Sequence, residues 1–348
     1  MAVFDGRNGR SAMKAVVVHG VSDLRVDTVD EPGRCPPESV VVEVDYGGIC
    51  GSDLHYVAHG AAGTSVLRHP MILGHELAGR IAATGEPVTV HPGTSCGECR
   101  YCRGKLAHLC ERMRYLGSAA YDPHTDGGFV RRKIVPVNQI RPLPASVDLR
   151  SAAVCEPLGV AIHAVGRAGD LTGKSVLVNG AGPIGALVVA AARHAGAERV
   201  YAADIAEAPL RIAKALGAHE TIDASTAAEL PEVEVAFEAS GSPAGLTNVI
   251  RWLPRRATLV QVGNLPAGGA NVDLSPLISR EISYLGSFRF DTEIADAVRL
   301  LADGLDVSPL LTHVFDVDEA EKAFAVARDR VGGAGKVLLD FTRERSSP

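Results

Sequence analysis

Nowhere in the 348 residues does an apolar run approach the roughly 18 residues that a membrane-crossing helix needs. Positive charge is not in surplus either. Lys and Arg number 35 against 41 Asp and Glu, a net charge of −6, which disfavours a phosphate-backbone binder and favours a small-molecule partner. The first residues lack the basic segment followed by an apolar one that marks an export signal, so a cytoplasmic protein is expected. Disulfides are rare in that compartment, and clustered thiols there read as metal ligands. Internal repeats and low-complexity tracts are also missing. What is present is ordinary globular composition, 46% hydrophobic and 22% charged, in a chain long enough for about two domains.

Residues 1–12 are polar and glycine-containing and read as a disordered extension. From Lys14 to about Pro144, short Val/Ile runs (VVVEVDY, VTVHP, KIVPV) are broken by glycine and proline, as in a β-rich domain. The texture changes at DLRSAAVCEPLGVAIHAVGRAG. Apolar residues recur there at helical spacing, with Asp148 as N-cap and Gly169 as stop. Residues 174–286 then alternate strand and helix, from KSVLVNG and PIGALVVAAARHAGA through RVYAAD and APLRIAKALGA to VEVAFEAS, ATLVQVG and EISYLGS. That alternation predicts a parallel sheet covered by helices on both faces. The tail, 287–348, carries two helical patterns and a last strand, GKVLLDF, and is expected to fold back onto its neighbours.

After the strand SVLVNG comes Gly180-Ala-Gly182-Pro183-Ile184-Gly185, at a helix start. Alone, a GxGxxG is weak. Here a strand precedes it, a helix follows, and Asp204 ends the next strand, which is the context of a dinucleotide site. The glycines allow the tight turn, the approach of pyrophosphate to the helix N-terminus and close helix–sheet packing. Asp204 would accept from the adenosine ribose hydroxyls and repel a 2′-phosphate. No basic residue lies in Ile205–Leu210, so NAD is expected over NADP.

Four of the seven cysteines, Cys96, Cys99, Cys102 and Cys110, fall within fifteen residues as C-x2-C-x2-C-x7-C. Four thiolates at that spacing suit one tetrahedral zinc with no open position, hence a structural ion. An iron–sulfur cluster is the competing occupant. Cys35, Cys50 and Cys155 remain. Cys50, His75 and Glu156 offer a thiolate, an imidazole and a carboxylate, which would bind zinc and leave a fourth place for water or substrate. Taken singly, each has a plainer reading: a small buried apolar group, a hydrogen-bonded core histidine, a helix-capping acid. Their convergence does not follow from separation along the chain.

The segments GGICGSDLHY, GHELAG, CGECRYCRGKLAHLC, EPLGVAIHA, GAGPIGAL and FEASGSP occur here in the order found in the medium-chain, zinc-dependent alcohol dehydrogenases, which the chain resembles over about residues 13–345. Within that superfamily it is most similar to the polyol (sorbitol dehydrogenase-like) branch. MILGHE, MRYLGSA and GSFRF resemble the L-idonate 5-dehydrogenases in particular. The resemblance implies an α/β protein. A GroES-like β-rich catalytic domain would span 13–157 and be completed by 290–348, with a Rossmann doubly wound nucleotide-binding domain at 158–289.

By the same resemblance Cys50 and His75 match catalytic zinc ligands. Glu76 and Glu156 match carboxylates that bind the metal or its water, and the register favours Glu156 over Cys155. Asp53 would orient the ligand histidine. Cys96, Cys99, Cys102 and Cys110 match a structural zinc lobe, giving two zinc ions per chain. Val262, Gly263, Ser287, Phe288 and Arg289 join the cofactor contacts. The implied reaction passes a hydride from a secondary alcohol of a sugar acid or polyol, L-idonate above all, to NAD, with Ser52 and His55 relaying the proton to solvent. Sorbitol, xylitol or threonine dehydrogenase, or a catalytically silent nucleotide-binding protein, are the competing functions. Tyr56 and Tyr115 would line a polar pocket, and Arg289 or Arg68 would hold a substrate carboxylate. ATGEPVTVHPGTSC is shorter than the corresponding family segment but removes no ligand. Pairing of EISYLGS edges between subunits, as in the family, would give a homo-dimer or homo-tetramer.

Overall fold

The computed structural model describes residues 12–227, 229–266, 268–329 and 332–343. The expected N-terminal extension lies outside them apart from Ala12, which already belongs to the first strand, Ala12–Gly20. Two large sheets organise the rest.

The first has seven strands, in the order Ile140–Pro142, Pro87–Val90, Glu76–Ile81, Ser39–Gly48, Lys336–Asp340 and Leu311–Asp316. Arg132–Pro136 pairs with the early half of Ser39–Gly48, and Lys336–Asp340 with its last residues. The tail therefore folds back into the β-rich part by strand pairing and not by surface docking alone. The segment after Glu76–Ile81 is short, yet it closes a tight antiparallel hairpin onto Pro87–Val90, with Gly85 N–H donating to Ile81 O at 2.8 Å. Val42, Val44, Leu73, Leu77, Phe129, Leu339 and Phe341 fill the core of this part, and Phe129 meets Phe324 edge to face.

The second sheet is parallel throughout, in the order Glu220–Asp223, Arg199–Asp204, Ser175–Asn179, Val235–Glu238, Thr258–Gln261 and Ser283–Gly286. Chain order reverses between Ser175–Asn179 and Val235–Glu238. Open α/β sheets bind ligands at that crevice, beyond the carboxyl ends of the strands. The inner strands are rich in buried Val, Leu and Ala because helices cover both faces, whereas the edge strands Glu220–Asp223 and Ser283–Gly286 are not.

Between the sheets runs the helix Cys155–Ala168, whose apolar face packs against Pro183–His194 and Glu293–Ala302. Its approach is broken where a continuous helix was expected. Leu149–Ala152 forms one turn, capped by Asp148 accepting from Arg150 and Ser151 N–H, and the helix restarts at Cys155. Pro157, which has no N–H to give to a preceding turn, sits comfortably at such a start. The restart places Glu156 in a first helical turn. Phe129 is fully buried. Phe129→Ala should lower the unfolding free energy by about 3–5 kcal/mol, read from urea titration; a loss under about 1 kcal/mol would mean the core does not depend on it.

Candidate active site

Strand Ser39–Gly48 delivers the chain to Cys50, the N-cap of helix Gly51–His59. The neighbouring strand Glu76–Ile81 starts directly after His75. These two strands are paired, Gly48 opposite Glu76, so residues some 25 apart in the chain meet at one end of the sheet. Cys50, His75 and Glu76 each offer a donor atom there, all within 4.8 Å of one another. His75 Nδ1 and Glu76 Oε2 are buried with no hydrogen-bond partner among the described residues. A soft thiolate, an imidazole and a carboxylate converging so closely fit a zinc ion.

Asp53 is fully buried beneath this trio. Its Oδ2 accepts from Cys50 N–H at 3.0 Å and its Oδ1 from Gly74 N–H at 3.3 Å, tying together the two backbones that carry the donors. His75 Nδ1 is 3.8 Å from Asp53 Oδ1, too long for the orienting hydrogen bond the sequence suggested. Asp53 acts on the imidazole through charge and through the backbone. Burial lifts the Asp53 carboxyl above its usual range, with the charge of His75 pulling the other way. For His75, burial opposes protonation, yet the negative charges of Cys50, Asp53 and Glu156 outweigh it and raise the ring well above its ordinary value. Such concentrated negative charge is what a divalent cation neutralises.

Glu156 stands apart from the set of mutually close donors. Its Oε1 accepts from Tyr115 O–H at 2.6 Å, with both side chains buried. The Tyr115 ring meets His75 edge-on and lies under the Arg289 guanidinium, 4.0 Å from the ring centroid. Arg289 has a left-handed backbone (φ 53°), uncommon for a non-glycine residue. It has no carboxylate within ion-pair distance among the described residues. Tyr56 departs from the expected pocket role. It is 2% exposed in the apolar core, and its hydroxyl accepts from Ala119 N–H. Cys155 is fully buried among apolar side chains, which push its thiol up. Arg68 is exposed, on the loop held by His124. Ser52 is half-buried and His55 exposed on the helix that begins after Cys50.

One residue at the centre had no sequence signal beyond being a lone lysine opening an apolar strand. Lys336 Nζ lies 2.7 Å from Glu76 Oε1 and donates to Ile49 O at 3.1 Å, with 3% and 0% of the two side chains exposed. Burial lowers the lysine's proton affinity, but the Glu76 carboxylate overcomes that and raises it.

The cysteine lobe gathers as its spacing suggests. Cys96, Cys99, Cys102 and Cys110 bring their sulfurs within 4.8 Å of one another, and Cys110 Sγ accepts from Cys96 and Arg112 N–H. A set of four sulfurs fits a closed zinc site. The lobe leans on the body through Ala107 N–H to Asp291 Oδ2 and the ring contact of His108 with His163.

At the crevice of the parallel sheet, a Cβ on Gly180 would lie 2.4 Å from Ser240 N, and one on Gly185 1.8 Å from Gly180 O. Gly182, by contrast, faces open space and caps helix Pro183–His194, whose first N–H groups have no intrahelical partner. Ile184 lies in that first turn. Asp204 braces the turn, accepting from Ala181 and Ala206 N–H. Buried Glu238, which the sequence reading missed, accepts from Asn179 at 2.5 Å and from Ser240, while its carbonyl receives Val262 and Gly263 N–H. Ser287 Oγ is buried without a partner among the described residues, and Phe288 is exposed beside Arg289. This cradle fits a dinucleotide pyrophosphate.

Two sheets joined by one helix, a thiolate–imidazole–carboxylate trio and a four-thiolate lobe define a metal-binding dehydrogenase class. Residues 36–145 match the alcohol dehydrogenase GroES-like domain and residues 183–303 the zinc-binding dehydrogenase family. The chain belongs to this zinc-binding dehydrogenase family. L-idonate 5-dehydrogenase (NAD(P)(+)) of Escherichia coli is 39% identical over 86% of this chain and 91% of its own length. Its crystal structure superposes with a TM-score of 0.88 at 37% identity, covering 95% of this chain and 99% of that one. Sorbitol dehydrogenase of Bacillus subtilis is 32% identical over 94% of this chain and 97% of its own. A Sinorhizobium meliloti zinc-binding relative solved with NADP gives a TM-score of 0.86 at 30% identity, covering 95% and 100%.

Removing the amine of Lys336 strands a buried carboxylate. Lys336→Met should cost about 3–5 kcal/mol of unfolding free energy in chelator-treated protein. Unchanged urea midpoints would show that Glu76 has another counter-charge.

Proposed function

We propose that the chain is a zinc-dependent dehydrogenase acting on a secondary alcohol of a sugar acid or polyol, with L-idonate as first candidate and NAD as preferred acceptor. The observation that carries this is the convergence of Cys50, His75 and Glu76, which bring one donor atom each to within 4.8 Å of one another. Cys50, His75 and Glu76 would hold the zinc, which supplies a Lewis acid, while the dinucleotide supplies the hydride acceptor. Gly182 and the helix after it receive the pyrophosphate. Asp204 keeps lone pairs for ribose hydroxyls beyond its two backbone bonds and disfavours a 2′-phosphate. The names of relatives leave NADP open as a second acceptor. Ser52 and exposed His55, on the helix after Cys50, carry the released proton outward.

Support for the sugar-acid substrate is Arg289. Its guanidinium packs on the Tyr115 ring beside the metal trio and has no carboxylate partner among the described residues, which suits a substrate carboxylate bound through two parallel hydrogen bonds. The working division of the chain is a catalytic unit of 13–157 with 290–348 and a nucleotide unit of 158–289. A cytoplasmic homo-oligomer goes with this reading: all the cysteines are free, and strand Ser283–Gly286 ends the parallel sheet. No helix among the described residues is long and apolar enough to cross a membrane.

Two measurements test the proposal. Metal analysis should return two zinc ions per chain, and one ion confined to the lobe would remove the catalytic site. NADH formation with idonate, gluconate, sorbitol, xylitol and threonine should be fastest on a sugar acid. Arg289→Ala should then raise KM for that acid by about 10–100-fold and change a neutral polyol far less; equal losses on both would end the carboxylate role.

A further inference from the structure

Glu76 and Glu156 both sit in the metal site, yet only one joins the tight donor set. One carboxylate oxygen of Glu76 lies within 4.8 Å of the Cys50 and His75 donors. Glu156 is turned to Tyr115. That tyrosine is 8% exposed, on the short strand Arg114–Tyr115, which pairs with Gly93–Thr94. His75 touches its ring and Arg289 covers the face, so the hydroxyl has little freedom to leave the 2.6 Å bond with Glu156 Oε1.

The alternative for Glu156 is close by. It extends from the first turn of helix Cys155–Ala168 into a site where His75 and Lys336 carry the positive charge and Glu76 repels it. A buried carboxylate that loses a strong hydrogen bond takes the nearest remaining electrophile. A fourth protein donor beside Cys50, His75 and Glu76 would make a closed shell like that of a structural zinc site, with no place for substrate.

We infer that Tyr115 is a positioning residue whose hydroxyl holds Glu156 back from the Cys50–His75–Glu76 trio and so keeps one coordination place open. The inference rests on the dehydrogenase reading above and adds to it a reason for a tyrosine here. Phenylalanine would keep the packing against His75 and Arg289 and lose only the bond.

The test is Tyr115→Phe, loaded with zinc and compared with wild type in two ways. Release of the catalytic zinc to excess EDTA should slow by at least about 5-fold, because a fourth protein donor now holds the ion. kcat/KM on the best substrate of the panel should fall at least about 10-fold, chiefly in kcat. In a Glu156→Gln background, adding Tyr115→Phe should alter release by less than about 2-fold, since no mobile carboxylate remains. The opposed signs separate positioning from damage. A merely structural role loosens the metal and lowers activity together, and that outcome overturns the inference, as do unchanged release or unchanged kcat/KM in Tyr115→Phe. A wild-type protein that carries no second zinc, or is inert toward the whole panel, defeats the dehydrogenase reading instead.

Discussion

Burying negative charge is the constraint on which this structure turns. Asp53, Glu76 and Glu156 are each at least nine-tenths buried around a half-buried thiol, Cys50. Unpaired ions in such surroundings are too costly to keep, so each must be answered locally. Backbone N–H groups of Cys50 and Gly74 answer Asp53, Tyr115 answers Glu156, and Lys336 answers one oxygen of Glu76. The other Glu76 oxygen and His75 Nδ1 have no hydrogen-bond partner among the described residues. The architecture of the β-rich part follows from delivering these partners to one end of the sheet. Strand Ser39–Gly48 brings the thiol, its neighbour Glu76–Ile81 the imidazole and carboxylate, and Lys336–Asp340 the lysine.

The nucleotide half solves a different problem, that of bringing backbone close to an anionic ligand. Glycines at 180 and 185 remove the side chains that would block the turn. The turn then needs rigid support. Glu238 supplies it by bridging Asn179 and Ser240 across the two strands flanking the crevice, and Asp204 by accepting from Ala181 N–H of the turn and from Ala206 N–H just past its own strand end. Helix Cys155–Ala168 joins the two solutions: Glu156 at its start is held by Tyr115 next to His75, and its apolar face packs against the helix that follows the glycine turn.

Features written in local sequence were legible from it. The strand–helix alternation of 174–286, the glycine turn followed by Asp204 at the next strand end, and the cysteine spacing are each set by neighbouring elements or one loop, where period, turn chemistry and ligand spacing act directly. Distribution of roles among residues brought together by strand pairing was not. Glu76 and Glu156 are both acids next to plausible ligands, and only the register of Gly48 opposite Glu76 separates them. Lys336 lies 260 positions from Glu76, and nothing around it in the sequence betrays a buried ion pair. Tyr56 and Tyr115 read alike as phenols near the site. One helix turn buries the first in the core and a short strand presents the second to Glu156. The break before Cys155 was hidden because its apolar spacing is that of a continuous helix.

The long reach of Lys336 bears on how the protein is made. A ribosome that has emitted residues 12–303 has emitted both halves of the metal trio and the entire parallel sheet, but not the strand that carries the neutralising amine. Until Lys336–Asp340 slides in beside Ser39–Gly48, Glu76 has no lysine to meet it and the sheet edge there lies bare. The Glu76 carboxylate thus meets its amine only when a strand 260 positions further along the chain is in place, whereas the four sulfurs of the cysteine lobe come from fifteen consecutive residues and need no distant partner to gather.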